Sequence, residues 1–89
     1  MIKITSVKVL HDYTLALTFS DGSDGAYDMT PVLEFQTVLT EPLREPAIFA
    51  KVYLELGAIC WPNGLELSPH SVYETMEASG RLVKHAHAA

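Results

Sequence analysis

This chain of 89 residues has one cysteine, one tryptophan and six lysines and arginines in total. A lone Cys60 excludes an internal disulfide, and residues 1–10 lack the unbroken apolar block of an export leader, so the expected compartment is the reducing cytoplasm. Its few cations, Lys3, Lys8, Arg44, Lys51, Arg81 and Lys84, form no basic stripe, and a net charge of −5 repels phosphate backbones. That argues against direct nucleic-acid binding by the chain alone. Long apolar runs are missing too, which argues against a membrane span. With 48% hydrophobic and 19% charged residues, the chain is nonetheless too apolar to stay disordered.

What is there is alternation. Tyr13, Leu15, Leu17 and Phe19 alternate with Thr14, Ala16 and Thr18, the period of a strand with one buried face. Ile2 and Ile4 are out of phase with Val7 and Val9, so residues 4–10 predict either one bulged strand or two short segments. His11-Asp12 is expected as a two-residue hairpin turn, and Asp21-Gly22 as a second turn before a strand ending near Met29. Thr30-Pro31 predicts an N-cap and first helical residue of a short helix through Phe35. Pro42 and Pro46 then preclude a continuous helix, with one further turn expected at residues 47–50. Leu56-Gly57 joins residues 52–55 and 58–61 as another hairpin, and Ser68-Pro69 opens a helix of about ten residues that Gly80 ends.

The run Trp61-Pro62-Asn63-Gly64, followed by Leu65-Glu66-Leu67-Ser68-Pro69, stands out as a tight turn leading into a marked helix start. Together with Asp21-Gly22, Asp28, Thr30-Pro31-Val32-Leu33 and the aromatic Phe49, it resembles a small bacterial family, domain of unknown function 2442, over residues 4–76. The resemblance implies a compact α+β domain, found alone or fused to a helix-turn-helix module, and often encoded beside another small protein in toxin–antitoxin-like gene pairs. It implies no enzymatic activity. Only nine residues follow Gly80, too few for a helix-turn-helix.

Each candidate site has a plain structural alternative. Trp61 is an aromatic anchor or a ligand platform on one reading and a core residue on the other. Asn63 and Gly64 could expose backbone donors to an anion, but they also suit positive φ in a turn. His11, His70, His85 and His87 match no zinc spacing, and Asp21, Asp24 and Asp28 lack the closing Glu of a calcium loop. Cys60 with His70 is a poor nucleophile and base, since the thiol belongs to a strand expected to be buried. Glu41/Glu45 and Glu74/Glu77 read as solvated surface. No cofactor, metal or catalytic constellation is expected.

The sequence therefore predicts one α+β domain over residues 1–80, with residues 81–89 as a flexible tail. Its architecture is two-layered, an antiparallel meander of about five strands covered by one longer C-terminal helix and one or two short helices. The expected core is Val7, Val9, Leu15, Leu17, Phe19, Leu33, Phe49, Ile59, Trp61, Leu67, Val72 and Met76. A domain this small has a thin stability margin, which favours an interaction module binding a small, basic protein partner in an antitoxin-like manner, with a homodimer as a further possibility. Two other readings stay open: a small-ligand domain using the Trp61–Ser68 turn, and an auxiliary subunit of a DNA-bound regulator. The candidate interaction or ligand surface is Trp61, Asn63, Gly64, Ser68 and Tyr73.

Overall fold

A computed structural model describes residues 1–85. Along the chain run β1 (Ile4–Val9), β2 (Thr14–Phe19), β3 (Asp24–Asp28), α1 (Thr30–Glu34), a 3-10 turn (Glu41–Arg44), α2 (Pro46–Phe49), β4 (Tyr53–Glu55), β5 (Ala58–Cys60), β6 (Glu66–Leu67), α3 (Pro69–Ala78) and β7 (Leu82–Val83). The fold is α+β, but among the described residues the strands number seven and form two antiparallel sheets, ordered β1-β2-β3-β7 and β4-β5-β6. The expected single meander of about five strands is corrected accordingly. The proline-bearing segment between β3 and β4 carries the chain off the first sheet, and the second hairpin founds its own.

The phase shift at the start of the chain is a bulge. Register passes from Ile4 opposite Phe19 to Ser6 opposite Thr18. Thr5 is left over, its hydroxyl donating to the Thr18 carbonyl at 3.2 Å. This extra residue turns Ile4, Val7 and Val9 to the same side as Leu15, Leu17 and Phe19, so one buried face survives the break in alternation. The first hairpin turn lies one residue later than expected, at Asp12-Tyr13, both with positive φ (55° and 57°). A tyrosine rarely adopts that conformation. Tyr13 is held there at its far end, where its hydroxyl donates to the Arg44 carbonyl and its ring meets Phe49 edge-on, centroids 5.2 Å apart.

The start of α1 also differs. Thr30 lies inside the helix and makes no cap; the Asp28 carboxylate, two residues back, accepts the Thr30 N–H at 2.9 Å. α3 follows expectation, with Ser68 at the N-cap and Pro69 first in the helix. At its end Gly80 takes φ 72°, and the Arg81 and Gly80 N–H groups donate to the Met76 and Glu77 carbonyls, a Schellman closure.

That closure returns the chain to the sheet. Leu82 and Val83, assigned by sequence to a tail, pair with Gly25 and Asp24 as a fourth strand. Gly25 permits it: a Cβ there would stand 2.1 Å from the Arg81 carbonyl oxygen. Residues 86–89, including His87 and the rest of the expected tail, lie outside the described residues.

The two sheets meet where the Ile4 N–H donates to the Gly57 carbonyl at 2.9 Å, in the Leu56-Gly57 turn. One core runs beneath both, including Leu15, Leu17, Phe19, Ile59, Trp61 and Met76. Three expected core residues, Val7, Val9 and Leu67, are only partly buried, whereas Ile4, Tyr27, Met29 and Leu43 complete the interior. No helix among the described residues is long and apolar enough to cross a membrane.

Candidate functional site

Sequence reasoning points to the turn after β5, and there the structure shows a clamp facing inward. Trp61 is 1% exposed, and its indole N–H donates to the Phe49 carbonyl at 2.9 Å. It is a core residue, not part of a surface. The turn closes through Gly64 N–H to Trp61 O (3.0 Å) and Trp61 N–H to Leu65 O (2.9 Å), with Gly64 at φ 100°. Asn63 works in two directions: its Oδ1 accepts the Leu65 N–H at 3.2 Å, and its Nδ2 donates to the Leu39 carbonyl at 2.8 Å.

The other two candidates stand apart from this turn. Ser68 caps α3 by accepting the Ser71 N–H at 3.5 Å. Tyr73 packs edge-on against Phe19 and donates its hydroxyl to Asp21 Oδ2 at 2.7 Å. The hollow beside Trp61 holds about 110 Å³ and is lined by Glu55, Cys60 and Glu66 among others, without Tyr73. Ligand pockets are ordinarily several times larger.

Asp21 anchors a cluster that sequence reasoning took for a simple turn. Its Oδ1 accepts both the N–H of Ser23 (2.9 Å) and its hydroxyl (2.5 Å), while Tyr73 supplies a third donor to Oδ2. Three hydrogen bonds to the charged form hold the carboxyl at about 2, and the bond to Asp21 in turn pushes the Tyr73 phenol up. The cluster fastens α3 to the β2–β3 turn. An Asp-Gly signal predicts the turn but not the tyrosine, which lies 52 residues away.

Burial pushes the Cys60 thiol up, so the thiolate needed for nucleophilic chemistry is disfavoured. His70 pairs with Glu74 on α3 at 3.0 Å, His85 with Asp24 at 2.9 Å, and Lys84 with Glu77. Among the described residues no three His, Cys, Asp or Glu side chains are grouped to hold a metal.

A different feature, which the sequence did not single out, is the loop after α1. Phe35, Val38 and Leu39 are 73%, 88% and 40% exposed. Their backbone is nevertheless tied down. Thr37 and Thr40 bond reciprocally, each hydroxyl accepting the other's N–H at 3.1 and 2.9 Å, and buried Thr40 also donates to the Phe35 carbonyl. Asn63 holds the Leu39 carbonyl from across the molecule. Two open grooves sharing Glu34 border α1, one of about 330 Å³ with Pro31 and Phe35, the other of about 400 Å³ with Tyr13, Leu33 and Arg44. Phe35, expected as the last residue of the helix, instead follows it: its ψ of 91° turns the chain out of α1, and its ring is exposed.

The family model described as protein of unknown function, DUF2442, matches residues 4–77. The chain belongs to that family. The DUF2442 span takes in the turn, the exposed loop and nearly all of α3, so the Asn63–Leu39 bond lies wholly within it. Neither the curated proteins nor the solved structures contain a match to the chain.

Proposed function

We propose that this DUF2442 chain is a non-enzymatic protein-interaction module whose contact surface is the loop Phe35–Leu39. The observation that carries the reading is an apolar loop exposed to water while its backbone is fastened by Thr37, Thr40 and Asn63. Exposed clustered apolar side chains mark contact surfaces more often than chance, and an aromatic anchor is the commonest kind of energetic centre. A loop already held in shape loses less entropy on binding than a mobile one. Glu34, Glu41 and Glu45, all exposed, lie in the chain just before and after the patch, and of these only Glu41 forms an ion pair, with Arg44 at 3.8 Å. Acidic flanks on a chain of net charge −5 favour a small basic partner presenting an apolar pocket.

The gene pairing implied by the family resemblance supplies the natural candidate, the product of the adjacent gene, bound in an antitoxin-like way. A DNA-linked role would run through that partner's cations. The test is co-expression with the neighbouring gene, followed by light scattering on the purified sample. A heterocomplex is expected, with Phe35→Ser/Val38→Ser weakening it at least about ten-fold, the loss of one hot-spot residue. Failure to form the complex, or a complex indifferent to the double substitution, overturns the reading.

A further inference from the structure

The outer face of the four-stranded sheet has the features of a self-complementary surface. Pairing register fixes which residues share it: Ser6, Thr18, Asp24 and Val83 form one row across the strands, Lys8, Ala16 and Ala26 the next, and Thr14 and Asp28 the third. Leu15, Leu17 and Tyr27 occupy the opposite face, and the buried residues of α1, α2 and α3 all belong to the core on that side. Among the described residues, then, the outer face has no helix over it. It is a shallow hollow of about 370 Å³, with Ala16 and Thr18 as its floor and Lys8 and Asp24 on opposite sides.

Small side chains let a second sheet approach to the usual packing distance of about 10 Å. Charge decides what that second sheet is. On β1 stands Lys8, which forms no ion pair among the described residues. On β3, two strand spacings or about 10 Å away, stand Asp24 and Asp28. Asp24 meets His85 at 2.9 Å, and Asp28 accepts the Thr30 N–H and feels the charge of Arg81. The face is thus positive along one strand and acidic along another, with a neutral strand between.

We propose that this face is a homodimer interface, two copies packing sheet on sheet about a twofold axis that runs parallel to β2 over Ala16. Such an axis carries β1 of one copy over β3 of the other. Lys8 shares its row with Ala26, midway between Asp24 and Asp28, so each Lys8 comes to lie between the partner's two carboxylates. Two reciprocal ion pairs follow from one symmetry operation. A twofold axis perpendicular to the strands instead lays β1 on β1, lysine over lysine, so the charge pattern selects the orientation as well as the partner. This interface is separate from the Phe35–Leu39 loop and does not rest on it. With strands of five or six residues it is small, and the dimer is weak, with a Kd of roughly 10–100 µM.

Sedimentation over a concentration series, with a cysteine placed at the axis, tests this. The mass should rise from 9.8 kDa toward twice that value over the stated range. Lys8→Glu should raise the Kd at least about ten-fold, because symmetry reverses two pairs at once, and Lys8→Glu/Asp24→Lys should recover the dimer. Facing strands about 10 Å apart are too far for a disulfide, so a short bis-maleimide should join Ala16→Cys into a covalent dimer, whereas the parent chain, whose Cys60 is buried, should not react. Phe35→Ser/Val38→Ser should leave self-association unchanged, which separates this test from that of partner binding. Three results overturn the proposal: a monomer at concentrations ten-fold above the range, a dimer indifferent to Lys8→Glu, or a dimer in which Ala16→Cys does not cross-link.

Discussion

The Trp61–Ser68 turn and the Phe35–Leu39 loop touch through one hydrogen bond, Asn63 to Leu39, yet they place their apolar side chains in opposite ways. In the turn, the large aromatic is buried and its one polar atom is bonded to backbone. In the loop, the polar atoms are turned inward to hold the backbone while Phe35 and Val38 face water. The turn carries the recognisable residue string, the loop none. A recurring motif therefore marks the frame, and the surface proposed for contact lies in a segment whose own residues look ordinary.

Breaking the turn should have the largest effect. Trp61→Ala removes the largest fully buried side chain and leaves the Phe49 carbonyl with only the long Val52 N–H bond (3.3 Å), so it should destabilise by about 3–5 kcal/mol, enough to unfold much of a domain this small. Trp61→Phe keeps most of the packing and loses the N–H, for about 1–3 kcal/mol. Urea unfolding followed by circular dichroism measures both. Equal losses for the two variants would mean that the hydrogen bond, not the packing, holds the turn.

Asn63→Ala asks whether the two regions are coupled. It leaves the core intact and removes the only side-chain bond from turn to loop among the described residues, so the expected loss is about 1 kcal/mol. The sharper readout is local: hydrogen exchange of the Thr37, Thr40 and Glu41 amides, each bonded within the loop, should quicken more than that of the β2 amides. Uniform quickening would place Asn63 in global stability alone.

Legibility divides along the same line. Alternation locates β1 and β2, the Leu56-Gly57 turn locates the β4–β5 hairpin, and cap chemistry locates α3, because these signals are local. Ser68 and Gly80 act on their own neighbours. Misses occur where a distant residue decides. Tyr13 takes positive φ because Arg44 and Phe49 hold its far end, and β7 forms because Gly25 admits the Arg81 backbone. Tyr73, expected beside Trp61, is drawn instead to Asp21 by a bond that no spacing announces. Of the five residues named as a candidate surface, Trp61 is buried, Asn63 and Gly64 shape the turn, Ser68 caps, and Tyr73 clamps. The exposed loop is not legible because nothing in the residues of α1 tells a Phe35 that ends the helix from one just past its end with the ring in water.

Acid should separate the two ends of the molecule. Asp21 has its carboxyl held at about 2 against an ordinary 3.8, so its contribution is present above the unfolded value and disappears as pH falls from about 4 through 2. Since Asp21 is solvent-exposed, screening reduces this to about 1 kcal/mol. The Asn63–Leu39 and Trp61–Phe49 bonds involve no titrating group and should persist. Thermal melting between pH 5 and 2 should therefore fall less steeply in Asp21→Asn than in the parent chain. Parallel profiles would show that other carboxylates govern the acid limb.

The smallest stability effect should come from the exposed apolar residues of the loop. Val38→Ser and Phe35→Ser remove side chains that folding scarcely takes out of water, so each should shift the unfolding free energy by no more than about 0.5 kcal/mol. That near-neutrality gives the comparison its force. Trp61 is worth several kcal/mol to the fold and is closed to any partner; Phe35 is worth little to the fold and is largely open to one. If Phe35→Ser were to destabilise by as much as Trp61→Phe, the ring would be packing in solution, the loop would be part of the core, and the division between frame and surface would be lost.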